Sequence, residues 1–169
     1  KRKLICIPHG LEYSYRFPAG LAGDVFYCTS QKSVEVLTTL YKTDAFVFDS
    51  YINKKIYGLQ EFTQQHQSVE KVVFFTEPRN VEVNRKVLDL LNNIGVPFKV
   101  KLHPNDSTKN YNGYKLKFVD SLADALSYPV SIARKSTILL NSAYLGNVAI
   151  SVLIDSKDFF YVSYVFPSL

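Results

Sequence analysis

Several apolar runs in this chain are continuous rather than alternating, and that feature constrains the fold more than any other. Residues 71–75 read KVVFF and residues 148–154 read VAISVLI. A strand with one wet face alternates apolar and polar side chains. A run that is apolar throughout needs cover on both faces, as in a parallel sheet with helices on either side. The pattern predicts strands at Leu4–Pro8, Val25–Cys28, Ala45–Phe48, Lys71–Thr76, Phe98–Leu102, Lys115–Val119, Val130–Ala133 and Val148–Ile154.

Helical patterns lie between these runs. In Asn80–Ile94 the apolar residues Val83, Val87, Leu90, Leu91 and Ile94 share one face, Asn80 is placed to cap the start, and Gly95 closes the end. Strand, helix and strand from Lys71 to Leu102 therefore form a βαβ unit. Further helices are predicted at Ser121–Tyr128, capped by Ser121, at Ser136–Leu145, closed by Gly146, and at Gln31–Tyr41. Leu59–Glu70 is a polar, Gln-rich connector, and Asn105–Gly113 reads as a loop. The alternation predicts an α/β fold with a Rossmann-like, doubly wound parallel sheet. Residues 1–60 read as an N-terminal or hinge portion and residues 61–169 as the Rossmann-like domain.

Composition narrows the function classes. With 47% hydrophobic and 21% charged residues the chain is globular. Its apolar runs fall far short of the roughly 20 residues that span a bilayer. It begins at Lys1 without Met and contains none, which reads as a piece of something longer. Cys6 and Cys28 fall in predicted strands and outside any CxxC or Cys/His cluster, so they read as buried thiols in a reducing cytoplasm and no zinc site is expected. The net charge of +5 is scattered over Lys1–Lys3, Lys54–Lys55 and the Lys99/Lys101 pair, with no continuous basic stripe. That argues against nucleic acid and reads first as ordinary solvated surface, with attraction of an anionic donor or of the inner membrane face as the alternative.

Doubly wound sheets bind ligands outside the carboxyl ends of their strands, so the candidate residues lie there. His103 follows a predicted strand in Lys101-Leu102-His103-Pro104, with Pro104 fixing the turn. It reads either as a hydrogen-bond donor to a phosphate oxygen or as a solvated strand-end histidine. Ser136 and Thr137 open a helix, where hydroxyls and free N–H groups suit an anion but are also ordinary caps. His9, in Pro8-His9-Gly10, is a candidate general base or a plain loop histidine. Thr76-Glu77-Pro78-Arg79-Asn80 leads into a helix, and Arg79 would pair with a phosphate or with Glu77.

Together these pieces resemble bacterial sialyltransferases and polysialyltransferases with His-Pro and Ser motifs, and the related CDP-glycerol glycerophosphotransferases of teichoic acid synthesis. The resemblance lies in the order: a strand with His-Gly, a βαβ unit ending in K-L-H-P, then Ser-Thr at a helix start, an Ala-x-x-Gly helix end and a strand. It spans His9 to Ile154. It implies one half of a GT-B architecture of two Rossmann-like domains. His103, with Pro104, Ser136, Thr137 and Arg79, would bind the nucleotide, and His103 would stabilise the leaving phosphate. His9 matches the histidine proposed as base in the glycerophosphotransferases. The sialyltransferases use an acidic Asp/Glu-Asp/Glu-Gly residue, and no such tripeptide is present here. Leu140-Asn141-Ser142-Ala143 lacks the ribose-binding Glu of the UDP-sugar epimerases that share the fold.

The resemblance thus implies a nucleotide-sugar-dependent glycosyltransferase of capsule or lipopolysaccharide biosynthesis, inactive as an isolated fragment. Its donor would be CMP- or CDP-linked and its acceptor a glycan or lipid-linked glycan. No cofactor or metal is implied. It would act in the cytoplasm or at the inner face of the cell membrane. A teichoic-acid-type glycerophosphotransferase and a non-catalytic nucleotide- or glycan-binding module are the alternatives.

Overall fold

The computed structural model describes residues 2–7, 23–56 and 71–154. The chain divides into two compact units, and the first two of these spans belong to one and the third to the other. The expected continuation of the second domain to residue 169 lies outside the described residues beyond Ile154, and so does the Gln-rich connector between them.

In the first unit, strands β1 (Ile5–Cys6), β2 (Val25–Tyr27) and β3 (Phe46–Val47) pair in parallel in the order β1-β2-β3. Leu4–Phe48 therefore carries a small sheet of its own. Helix α1 (Gln31–Tyr41) matches the predicted span. Its start is set by Ser30, whose side chain accepts the Ser33 N–H at 3.1 Å. Phe26, Cys28, Leu37 and Phe46 form the core, with the Phe26 and Phe46 rings edge to face at 5.6 Å. Helix α2 (Ser50–Ile56) was not expected. It is too short to show a period. Its signal is Asp49, whose carboxylate accepts the N–H groups of Tyr51 and Ile52 at 2.9 and 3.0 Å. Buried Asn53 of α2 donates to the Cys28 carbonyl at 2.8 Å and so ties the helix to the end of β2.

The second unit holds a fully parallel sheet, ordered β5-β4-β6-β7, of β4 (Val72–Phe75), β5 (Phe98–Lys101), β6 (Val130–Ala133) and β7 (Val148–Ser151). Helix α3 (Val81–Ile94) joins β4 to β5, which is the predicted βαβ unit. Gly95 ends α3 in the left-handed region at φ 73°. Asn80 does not cap α3 with its side chain. It leaves the turn at Pro78–Arg79 with φ −135° and ψ 60°, and it contributes its carbonyl to the Asn84 N–H instead. Lys115–Val119 is also less than a full strand. Only the stretch around Phe118 pairs, in parallel, with Val100. Lysines at 115 and 117 keep this edge from extending. Helix α4 (Leu122–Leu126), capped by Ser121, and helix α5 (Ile138–Tyr144) connect the remaining strands.

Both faces of the sheet are covered at the central strands β4 and β6, whereas the edge strand β7 leaves Val148 and Ile150 exposed, so the cover expected for the apolar run 148–154 is not complete. Val72, Phe74, Val100 and Ile132 pack with Val87, Leu88 and Leu91 of α3. Neighbouring residues on a strand point the opposite way, and on that other face Ser131 of β6 accepts a hydrogen bond from Ser142 of α5 at 2.8 Å. Val73 and Phe75, buried on the same face, complete the continuous apolar run that cover on both sides requires. The unit is an α/β, Rossmann-like doubly wound domain. Among the described residues no helix is long and apolar enough to cross a membrane.

Candidate functional site

The order β5-β4-β6-β7 puts the topological switch between β4 and β6. The chain leaves β4 toward β5 over one face and returns toward β6 over the other, and it is outside the carboxyl ends at such a point that doubly wound sheets take their ligands. Thr76 and Glu77 follow β4, Arg134 and Lys135 follow β6, and His103 follows β5.

Glu77 occupies the switch point. Its backbone is fixed by Asn84, a fully buried residue of α3. The Glu77 N–H donates to Asn84 Oδ1 at 3.0 Å, and Asn84 Nδ2 donates to the Glu77 carbonyl at 2.7 Å. The carboxylate reaches across to β6, where Oε1 accepts the Lys135 N–H at 3.1 Å and Oε2 lies 3.4 Å from Arg134 Nη1. Side-chain exposures of 16% for Glu77 and 9% for Arg134 make this a largely desolvated ion pair at the carboxyl edge of the sheet. Ser151 of β7 donates to the Arg134 carbonyl and holds the far side of the same turn.

His103 is held from several directions. Its N–H donates to Thr76 Oγ1 at 3.1 Å, and its carbonyl accepts the Asp106 N–H at 2.8 Å. Its Nδ1 accepts the Asn105 N–H at 3.1 Å. A neutral imidazole that accepts at Nδ1 carries its proton on Nε2, so the ring offers one donor. Pro104, exposed in the turn, adds no polar group there beyond fixing the chain.

The loop after His103 is anchored by a polar network. Asp106 accepts from the Ser107 N–H and from Asn110 Nδ2, both at 2.8 Å, and from the Tyr111 hydroxyl at 2.5 Å. The Thr76 hydroxyl also bonds to it. Burial pushes the Asp106 carboxyl up. The bonds from Thr76, Tyr111, Asn110 and Ser107 outweigh that effect and hold it below the usual carboxylate value. Tyr111 is pushed well above the ordinary phenol value, first by burial and then by its bond to Asp106 and that carboxylate's charge. Asn84 closes the network by donating to the Tyr111 oxygen at 2.8 Å, and Arg85 of α3 grips the Asn110 carbonyl at 2.7 Å.

Ser136 and Thr137 lie past β6, at the same carboxyl edge as His103, with β4 between the two strands. Ser136 Oγ accepts the Ile138 N–H at 3.4 Å, and its carbonyl accepts the Leu139 N–H. The helix starts at Ile138, later than the expected Ser136, and Thr137 before it has helical dihedrals but makes no side-chain cap. Arg79 is exposed on the β4–α3 turn. The pairing of Glu77 with Arg79 is not formed, since Arg134 takes that carboxylate. His9 lies outside the described residues. Among the described residues no group of three or more His, Cys, Asp or Glu is arranged to hold a metal ion.

Comparison with protein-family models, with characterised proteins and with solved structures finds no match to this chain. The site therefore rests on its geometry. Sequence reasoning reached His103, Ser136 and Thr137 through the strand-end rule, and it assigned no role to Arg134. It assigned no role to Asn84 or Tyr111, whose polar side chains sit inside a helix pattern and a loop. The signal was present in Asn84, a polar residue among the apolar positions of α3.

Proposed function

We propose that the second unit binds the nucleotide of an activated sugar donor, and that it serves a sialyltransferase-like glycosyltransferase building a cell-surface glycan. The observation that carries this reading is the fixing of His103. A ring with Nδ1 satisfied by the Asn105 N–H keeps Nε2–H as a donor at the carboxyl edge of a doubly wound sheet, where such folds take their ligands.

Transfer leaves negative charge on the departing phosphate. A preorganised donor lowers the barrier only if it already points where that charge develops. His103 fills that role, and the hydroxyls of Ser136 and Thr137 approach the same phosphate from the β6 side. Helix α5 is only seven residues long, so these hydroxyls carry more of the stabilisation than its dipole does. The donor is CMP- or CDP-linked, the acceptor is a glycan or lipid-linked glycan, and the reaction takes place at the inner membrane face. The base is supplied from outside the second unit, with His9 as the candidate.

A thermal-shift series on this chain tests the reading. CMP and CDP should raise the melting temperature more than AMP at equal concentration, because a ligand bound only by the native state stabilises it by RT ln(1 + [L]/Kd). Equal shifts for all nucleotides would reduce the site to general phosphate binding. No shift at all would remove the nucleotide reading.

A further inference from the structure

We propose that Glu77 recognises the ribose hydroxyls of the bound nucleotide, an assignment that rests on the nucleotide reading above. Glu77 is the residue at the switch point itself, between the strand that carries His103 and the strand that leads to Ser136. Its position is fixed at both ends. Asn84 holds its backbone through two hydrogen bonds, and Arg134 and the Lys135 N–H hold its carboxylate. A carboxylate has about four acceptor positions, and these two contacts leave acceptor capacity in a side chain that is still 16% exposed.

The chemistry of that group selects its ligand. An ionised carboxylate only accepts hydrogen bonds and repels phosphate, so the phosphate sits to its side, with His103 and the hydroxyls of Ser136 and Thr137. The group facing Glu77 must bring O–H or N–H donors, and it must lie within a few bonds of the phosphate. In a nucleotide the ribose satisfies both conditions, whereas the amine of the base lies farther away. A carboxylate already anchored by a guanidinium and a backbone amide loses little side-chain freedom when a diol binds to it.

The test measures the affinities of this chain for CMP, 2′-deoxy-CMP and 3′-deoxy-CMP by calorimetry, in the wild type and in Glu77→Gln. Removing a hydroxyl that bonds a charged acceptor should weaken wild-type binding roughly tenfold or more for at least one deoxy analogue. In Glu77→Gln the CMP affinity should fall by a similar factor, and the preference for CMP over that analogue should shrink toward unity. A residue that merely clamps β4 to β6 would change stability without touching that ratio. Equal wild-type affinities for the three nucleotides, or an undiminished preference in Glu77→Gln, would overturn the assignment and leave the nucleotide reading standing. If Glu77→Gln does not fold, Glu77→Asp, which withdraws the carboxylate but keeps its charge, replaces it, and equal wild-type affinities would still overturn the assignment. Failure of the wild type to bind any of the three would remove the nucleotide reading and this inference together.

Discussion

Asn84 bonds to Glu77 as a second backbone would, accepting from its N–H at 3.0 Å and donating to its carbonyl at 2.7 Å. The same amide donates to Tyr111, so one buried side chain fixes both the switch-point residue and the loop that follows His103. Asn84→Ala would strand the peptide groups of Glu77 and the Tyr111 oxygen. Each such loss in a buried setting costs about 1–3 kcal/mol. Denaturant melts should therefore show the second unit destabilised by at least about 2 kcal/mol. A loss below about 0.5 kcal/mol, as at an ordinary surface site, would mean that water replaces these bonds easily.

The Asp106–Tyr111 pair makes stability depend on pH at both extremes. Asp106 has its folded pKa lowered, so its contribution is fully present above the unfolded value of about 4 and is lost as pH falls through the depressed folded value. Tyr111 has its folded pKa raised, so its contribution is fully present below about pH 10 and declines as pH rises above that. Asp106→Asn should flatten the acid limb of the stability profile, and Tyr111→Phe should flatten the alkaline limb. Both are read from urea midpoints across pH. An acid limb as steep in Asp106→Asn as in the wild type would assign acid sensitivity to other carboxylates.

His103 should behave as a donor of fixed tautomer. Nitrogen-15 spectra of the neutral ring should show Nε2 protonated and Nδ1 bare, as the Asn105 N–H contact requires. His103→Ala should leave the fold intact and weaken CMP binding moderately. In an enzyme containing this unit, transfer should fall much further, by about 2.7–4 kcal/mol of transition-state stabilisation, because the leaving charge peaks there. An Nδ1-protonated ring would contradict the geometry. Equal losses in binding and transfer would make the contact uniform rather than catalytic.

How much of this was legible depends on the distance over which each feature is encoded. The βαβ unit was readable because KVVFF and the α3 pattern are local, and the helical stretch Gln31–Tyr41 was readable too, although the Ser30 cap that starts it was not singled out. The strand-end position of His103 followed from its neighbours Leu102 and Pro104. Glu77 was visible as a residue, but of the two partners open to Arg79, a phosphate or Glu77, the pairing with Glu77 is not formed. Arg79 is near in sequence, whereas the register of β4 against β6 brings Arg134, 57 residues away, onto the carboxylate. Tyr111 and Asn84 meet across 27 residues for the same reason. A loop composition of NDSTKNYNG signals a turn and says nothing about which helix holds it.

The Glu77–Arg134 pair yields the last prediction, which separates strength from fit. Both side chains are mostly withdrawn from water, and the closest contact is a long 3.4 Å. Desolvating two charges is costly, and their attraction repays that cost only with good geometry and further hydrogen bonds. Glu77 has such a bond from the Lys135 N–H, which stays in place when Arg134 is changed. Arg134→Met would leave a mostly buried carboxylate with that one amide as its remaining side-chain contact, so it should destabilise the unit by about 3 kcal/mol, toward the lower end for breaking a buried pair. Glu77→Gln keeps a side-chain oxygen in place that can still accept from the Lys135 N–H or from Arg134, so it should cost less. The double variant, Arg134→Met with Glu77→Gln, should recover part of the Arg134→Met loss, because no charge is then stranded. A double-mutant cycle on unfolding free energies measures this as a coupling of at least 0.5 kcal/mol, the range seen for residues in direct contact. Strict additivity would show that the two charges do not sense each other at the switch point. The carboxylate would then be held by its backbone contacts alone.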